Sequence, residues 1–273
     1  MLTGKYSDPD GGGNVFIATR VYALLTAVII VAALFYNLNL AKKGKKVYLR
    51  RIPGLDALDE CVGRAAEMGR PIHVTPGLGG LTGTSAPQIL AGLEIQSYLA
   101  NKCATYDVRL FCSVSEPEVL PVAQEIQKAS HIAAGRPDTY REEDIRFLSQ
   151  SQFAFASAII GIIERERCVA SVMIGAFAAE ALFLAENSAQ LGCITIGGAT
   201  NLYQIPFFIA ACDYTLVGEE VFVGGAYVSQ DQTKIAGLRA QDIGKALTIA
   251  VLIVVALYTT LTGDKSLVKI LNM

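Results

Sequence analysis

The 273-residue chain has no tryptophan, only two histidines, and charged residues at 18% of the total. Two imidazoles leave little material for a zinc site or a histidine-based catalytic triad; His73 falls inside a predicted strand and His131 late in a predicted helix. Cysteine offers no substitute. Cys61, Cys103, Cys112, Cys168, Cys193 and Cys212 contain no C-x-x-C, and the closest two are nine residues apart. That spacing argues against a zinc ribbon or a disulfide framework and for reduced, buried thiols. A net charge of −2 removes the basic surface that general nucleic-acid binding needs. No ligand cluster points to a metal, and no cofactor is implied.

What is abundant is apolar side chain, at 52% of residues, which directs attention to membrane segments. Residues 21–36 carry no charge, and the apolar run continues to Leu40 with only Asn37 and Asn39 interrupting. A second charge-free run covers 246–262, and Ile243 and Gly244, before Lys245, can lengthen it, so both approach the roughly 20 residues of a spanning helix. The acidic, glycine-rich SDPDGGG before the first run is unlike the basic start of a signal peptide, so the run reads as an anchor. Lys42, Lys43, Lys45, Lys46, Arg50 and Arg51 follow that run, against Lys5 and Arg20 before it, which places the following segment on the cytoplasmic side. The expected organisation is an outer tail (1–14), a first transmembrane helix (15–41) and a basic linker (42–51). A cytoplasmic α/β domain (52–242), a second span (243–262) and an outer tail (263–273) complete it, both termini lying outside the plasma membrane. The basic linker reads as a topology signal and a contact with lipid headgroups.

Between the runs, strand and helix alternate. Strands are expected over 72–75, 108–114, 169–174, 193–196 and 214–217, each a short, largely apolar or β-branched run. Helices fall between them, including one from Asp56 to Met68 closed by Gly69, and one opened by a capping box of Ser115 and Glu118. A second box, Thr139 with Glu142, opens a helical region reaching Glu166. Strands apolar on both faces belong to a parallel sheet covered by helices, so the fold class is α/β, a Rossmann-like three-layer parallel sheet of about five strands. Ligands of such sheets bind where strand carboxyl ends meet a switch in strand order.

The stretch PIHVTPGLGGLTGTSAP (71–87) stands at the first of those ends. Its glycine-rich turn, with Gly77, Gly79, Gly80 and Gly83, runs into Thr84 and Ser85 ahead of a helix, and bare backbone N–H groups there can hold an anion or serve as a tight turn. Gly77 and Gly79 fit the dinucleotide fingerprint, but Thr82 stands where its third glycine belongs, and no lysine precedes Thr84 or Ser85 as in a P-loop. G-x-S-x-G is imitated by 83–87, with Pro87 in place of the last glycine; helix capping explains Ser85 more simply than nucleophilic catalysis. Gly198 and Thr200 at the fourth strand end, and Glu219 and Glu220 at the fifth, complete the candidate ligand-binding set. The two acids suit a ribose hydroxyl or a metal, and equally the dipole of a helix start. No residue is assigned a catalytic role.

Glu180 lies in a nearly all-apolar helix, where a carboxylate must be paired, hydrated or protonated; a salt bridge or a polar subunit contact is the expectation, a functional acid the alternative. The helices over 153–163 and 177–190 are apolar nearly all round, more than one sheet face requires, which points to burial between subunits or against a membrane.

The stretches RIPGLDALDE (51–60), EMGRPIHVTPG (67–77), RFLSQSQFA (146–154), PFFIAACDYTLVGEE (206–220) and LRAQDIGK (238–245) give the chain a resemblance to a wider group. It resembles a family of prokaryotic membrane proteins that carry a domain of unknown function flanked by membrane segments. The resemblance implies a membrane setting and brings no activity and no catalytic residue. The expectation from the sequence is therefore a membrane-bound, homo-oligomeric scaffold in contact with the lipid bilayer. The alternative is a membrane-tethered enzyme or sensor for a nucleotide or other small anionic ligand.

Overall fold

The computed structural model describes residues 51–229 continuously, with residues 31, 32, 35 and 36 and scattered positions from 235 to 260. It divides into two compact units, Tyr48–Asp231 and a second made of Met1–Val47 with Gln232–Met273.

In the first unit six parallel strands form one sheet: β1 (Ile72–Gly77), β2 (Leu110–Val114), β3 (Ile145–Phe147), β4 (Ala170–Ala176), β5 (Ile194–Ala199) and β6 (Tyr214–Val217). Their order is β3-β2-β1-β4-β5-β6. The sheet therefore grows outward in both directions from β1 and β4, the doubly wound order of Rossmann-like folds, and its switch point lies between those two strands. Seven α-helices cover it: α1 (Pro53–Met68), α2 (Ala86–Tyr106), α3 (Leu120–Ala133), α4 (Gln152–Glu166), α5 (Glu180–Gln190), α6 (Ile205–Ala211) and α7 (Glu220–Ser229). One core joins Leu58, Ile89, Leu93, Ala123 and Val221 of α1, α2, α3 and α7 to Ile72, Val74, Cys112 and Ile174 of the sheet. The other joins Phe155 and Ile159 of α4, Leu184 of α5 and Phe208 of α6 to Phe111 and Met173.

Local chemistry explains most boundaries. Pro53 starts α1 at a position where a missing N–H is harmless, and Gly69 ends it in the left-handed conformation (φ 60°), its N–H returning to the Ala65 carbonyl. The helix thus begins at Pro53, three residues before the expected start at Asp56, which sits in its first turn.

Two expectations need correction. Residues 145–147 form β3, an edge strand, where the capping box of Thr139 and Glu142 suggested a helix; Pro137–Thr139 and Glu142–Asp144 make single 3-10 turns, and the helix starts only at Gln152. Three residues that include Arg146 are too few and too polar to show a strand period. Nor are the strands apolar on both faces. The face toward α4, α5 and α6 carries His73, Thr75, Ser113, Ser171 and Thr195, all buried.

In the second unit, residues 31, 32, 35 and 36 are helical, as are 241–246, 248–250, 252 and 253. Val31, Phe35, Tyr36, Ile249, Leu252 and Ile253 are exposed. Among the described residues no helix is long and apolar enough to cross a membrane. Most of the expected spans (15–41 and 243–262), the basic linker and both tails lie outside the described residues.

Candidate functional site at the carboxyl edge of the sheet

Gly77 ends β1 beside the end of β4, and the two backbones are pressed together. A Cβ on Gly77 (φ 85°) would collide with the Ala176 carbonyl, and one on Gly175 (φ 151°) with the Pro76 carbonyl. Only glycine combines the positive φ with that approach. Leu78 N–H then donates to the Ala176 carbonyl at 2.6 Å, so hydrogen bonding between the strands continues past the register shift at 75–77.

The rest of the glycine turn is held by the loop after β2. Gly79 N–H donates to Ser115 Oγ (3.1 Å), whose hydroxyl donates to the Gly77 carbonyl (3.0 Å), and Leu81 N–H donates to Glu118 Oε1 (2.7 Å). Gly77 N–H is taken by Thr75 Oγ1 at 3.1 Å. Four N–H groups of the turn, those of residues 77, 78, 79 and 81, thus have acceptors within the chain, and one acceptor is a carboxylate placed where an anionic ligand would sit. A Cβ on Gly80 would meet the end of the exposed Glu118 side chain, so a larger residue there would displace that carboxylate. Ser115 and Glu118 are not a capping box: α3 begins after Val119 with no side-chain cap.

Ser85 precedes α2 in helical geometry and makes no capping hydrogen bond, its side chain folding back onto Gly79. Thr82, Gly83 and Thr84 are exposed. Thr200 Oγ1, after β5, accepts from Gln88 Nε2 at 2.6 Å and so ties the start of α2 to the neighbouring strand end. Gly198 lies inside β5, where a Cβ would press on Leu216 and Ile174. Glu220 accepts the Val217 N–H at 3.0 Å and closes the β6–α7 turn, while Glu219 is exposed beside it. All the candidate ligand-binding residues lie on or beside the carboxyl edge, yet the structure uses several of them for its own turns.

Glu180, at the start of α5, is fully buried within its own unit, and among the described residues no salt bridge holds it. Its Oε1 accepts the Ala178 N–H at 2.9 Å, Oε2 has no partner, and burial raises its pKa. The carboxyl braces the turn that leads into α5 through the Ala178 N–H and, being buried, favours the protonated form.

On the polar sheet face, His73 Nε2 pairs with Ser113 Oγ at 2.9 Å, and Nδ1 has no partner. Burial lowers the pKa of His73 to about 3, so the ring is neutral. Thr75 Oγ1 donates to the Ser113 carbonyl at 2.9 Å. These bonds fasten β1 to β2 just below the glycine turn. The thiols behave as expected from their burial, which pushes Cys61, Cys168 and Cys212 up to about 12 and Cys193 to about 11, leaving them protonated.

A cavity of about 250 Å³ opens at the other edge of the sheet, lined among others by Arg109, Gln127, His131, Thr139 and Asp144. Both oxygens of buried Asp144 hold Arg109 (2.6 to 3.0 Å), and Glu143 and Glu166 stand within 4 Å of the same guanidinium, which stacks on Phe111. Thr139 Oγ1 donates to the Arg136 carbonyl and so accepts from His131 Nδ1 (2.8 Å), which fixes the neutral tautomer with its lone pair on Nε2. Sequence reading missed this cluster because its members are scattered from 103 to 144 and share no spacing. Among the described residues no group of His, Cys, Asp and Glu is arranged to hold a metal ion.

The fold and this edge define a doubly wound parallel α/β protein with a glycine turn at its switch point. The chain belongs to the DUF6754 family, a domain of unknown function, which it matches over residues 11–270. No curated protein and no solved structure matches it.

Proposed function

We propose that this chain is a two-span prokaryotic membrane protein whose cytoplasmic α/β domain assembles with copies of itself as a scaffold on the plasma membrane. The observation that carries the scaffold over a ligand-binding role is the filled glycine turn. Four of its N–H groups, those of residues 77, 78, 79 and 81, are committed to Thr75, Ala176, Ser115 and Glu118, so an anion seated on that part of the turn would have to displace a carboxylate that is already bound.

The membrane setting is supported by the two charge-free runs and the lysine and arginine cluster between 42 and 51. It is also supported by the exposed apolar side chains on the described helical residues of both runs. The α/β unit adds a further support. Tyr227, near its last described residue, bonds to Asp56, which also pairs with Arg51, so the chain enters and leaves this unit at one place, as a hairpin of two spans requires.

A second reading is a tethered enzyme or sensor for a small anionic ligand at Gly77 to Ser85. Exposed Thr82, Gly83 and Thr84 directly before the 21-residue α2 favour it. The mass of the detergent-solubilised full chain by light scattering, with mass spectrometry of any co-purifying small molecule, separates the two. An oligomer free of ligand supports the scaffold; a monomer carrying a nucleotide or phosphate compound refutes it.

A further inference from the structure

The two edges of the sheet are finished differently. At one edge, β3 is three residues long, contains Arg146 and follows Arg141, Glu142, Glu143 and Asp144. Short length and charge are the usual protection of an edge strand against unwanted pairing. At the other edge, the segment Ala199 to Val217 that forms the β5–α6 turn, α6 and β6 contains one charged residue, Asp213, whose carboxylate is occupied by the N–H and hydroxyl of Thr195 (2.8 and 2.9 Å). In place of charge this edge displays Leu202 and Tyr203, 80% and 81% exposed, with Phe207, Ile209 and Val217 also exposed.

From this asymmetry we infer that the β6 edge, centred on the Leu202–Tyr203 turn and α6, is the interface through which one copy of the chain docks on a second. The inference rests on the scaffold reading above and names its contact surface. Area supports a protein partner of this size. At the usual dimensions of such side chains, the five expose on the order of 500 Å². A standard interface buries about 800 Å² per partner, of which a little over half is apolar. Charge argues against a lipid surface as the occupant. Ala199 to Val217 holds no lysine or arginine, whereas surfaces that dock on anionic bilayers carry them beside their apolar residues. A closed two-fold contact requires a patch that complements itself, which an apolar edge whose one charge, Asp213, lies off the Leu202–Tyr203 turn and is held by Thr195 satisfies.

The test is the mass of the full chain in detergent by light scattering, for wild type, the double variant Leu202→Lys/Tyr203→Lys, and Ile132→Lys as a control at an exposed position of α3. Leu202 and Tyr203 touch little of their own chain, so circular dichroism should stay unchanged. The expected result is an oligomeric wild type and control, with a double variant whose dissociation moves to at least tenfold higher concentration. As a second measurement, Tyr203→Cys should crosslink between copies with a bismaleimide, since five native thiols are buried and all six are held protonated. An oligomer unaffected by the double variant and not crosslinked at 203 overturns this interface and leaves the scaffold standing. A monomeric wild type overturns both, whatever other partner or lipid the edge then meets.

Discussion

Glu118 Oε1 accepts the backbone N–H of Leu81 at 2.7 Å, so a side chain from the loop after β2 does at the glycine turn what a ligand anion does in nucleotide-binding relatives of the fold. Gly80 lies against that carboxylate. Gly80→Ala should push the Glu118 carboxylate off the Leu81 N–H and cost about 0.5–1.5 kcal/mol, the usual net worth of one hydrogen bond, and adding Glu118→Ala should cost little more. Urea unfolding of the four proteins measures the coupling, and strict additivity would disprove the contact.

His73 predicts a specific acid sensitivity. Its pKa falls from 6.5 to about 3 on burial, so the unfolded chain binds a proton below pH 6.5 that the native one refuses. The stability associated with the neutral ring is present above pH 6.5 and drains as pH falls toward 3, amounting to about 2 kcal/mol by pH 5. His73→Asn, less stable in absolute terms, should show a flatter decline than wild type between pH 6.5 and 4 in urea midpoints.

Glu180 predicts the opposite slope. Its pKa is raised in the fold, so its contribution is greatest below the unfolded carboxylate pKa and is lost as pH rises through the folded value. A buried polar atom without a partner costs about 1–3 kcal/mol. Glu180→Gln should therefore raise the melting temperature by a few degrees at pH 8 and change it little at pH 4. A lower melting temperature at pH 8 would mean that the charged carboxylate has a partner the fold requires.

Tyr227 donates to Asp56 Oδ1 at 2.7 Å and closes the α/β unit where the chain enters and leaves. Tyr227→Phe should cost about 1 kcal/mol and speed proteolysis at 48–52 and after 229 without altering the exchange of sheet amides. Equal loosening of β1 and β4 by hydrogen exchange would show that the bond serves the whole core.

How much of this was legible beforehand follows from the kind of signal each element carries. The central strands were visible because a parallel strand covered by helices is a short, largely apolar run followed by a glycine, as at 72–77 and 170–175. β3 was not, because an edge strand of three residues needs no such run. Ser115 and Glu118 have the spacing of a capping box, and the same two acceptors serve equally well a neighbouring loop that lacks donors' partners; only the approach of the Gly77–Leu81 backbone separates the two uses. Glu180 was recognised as anomalous in an apolar helix, but its burial without an ion pair depends on which face of α5 meets the sheet.

The sequence alone determined the α/β class, the reduced thiols and the location of the glycine turn at a strand end, because these depend on local composition and period. Tertiary structure decided the strand order, the filling of that turn by Glu118, the cluster around Arg109 and the contrast between the charged β3 edge and the apolar β6 edge. Each of those joins residues tens of positions apart, and their meeting is set by how strands pair and helices cross over, which no local pattern records.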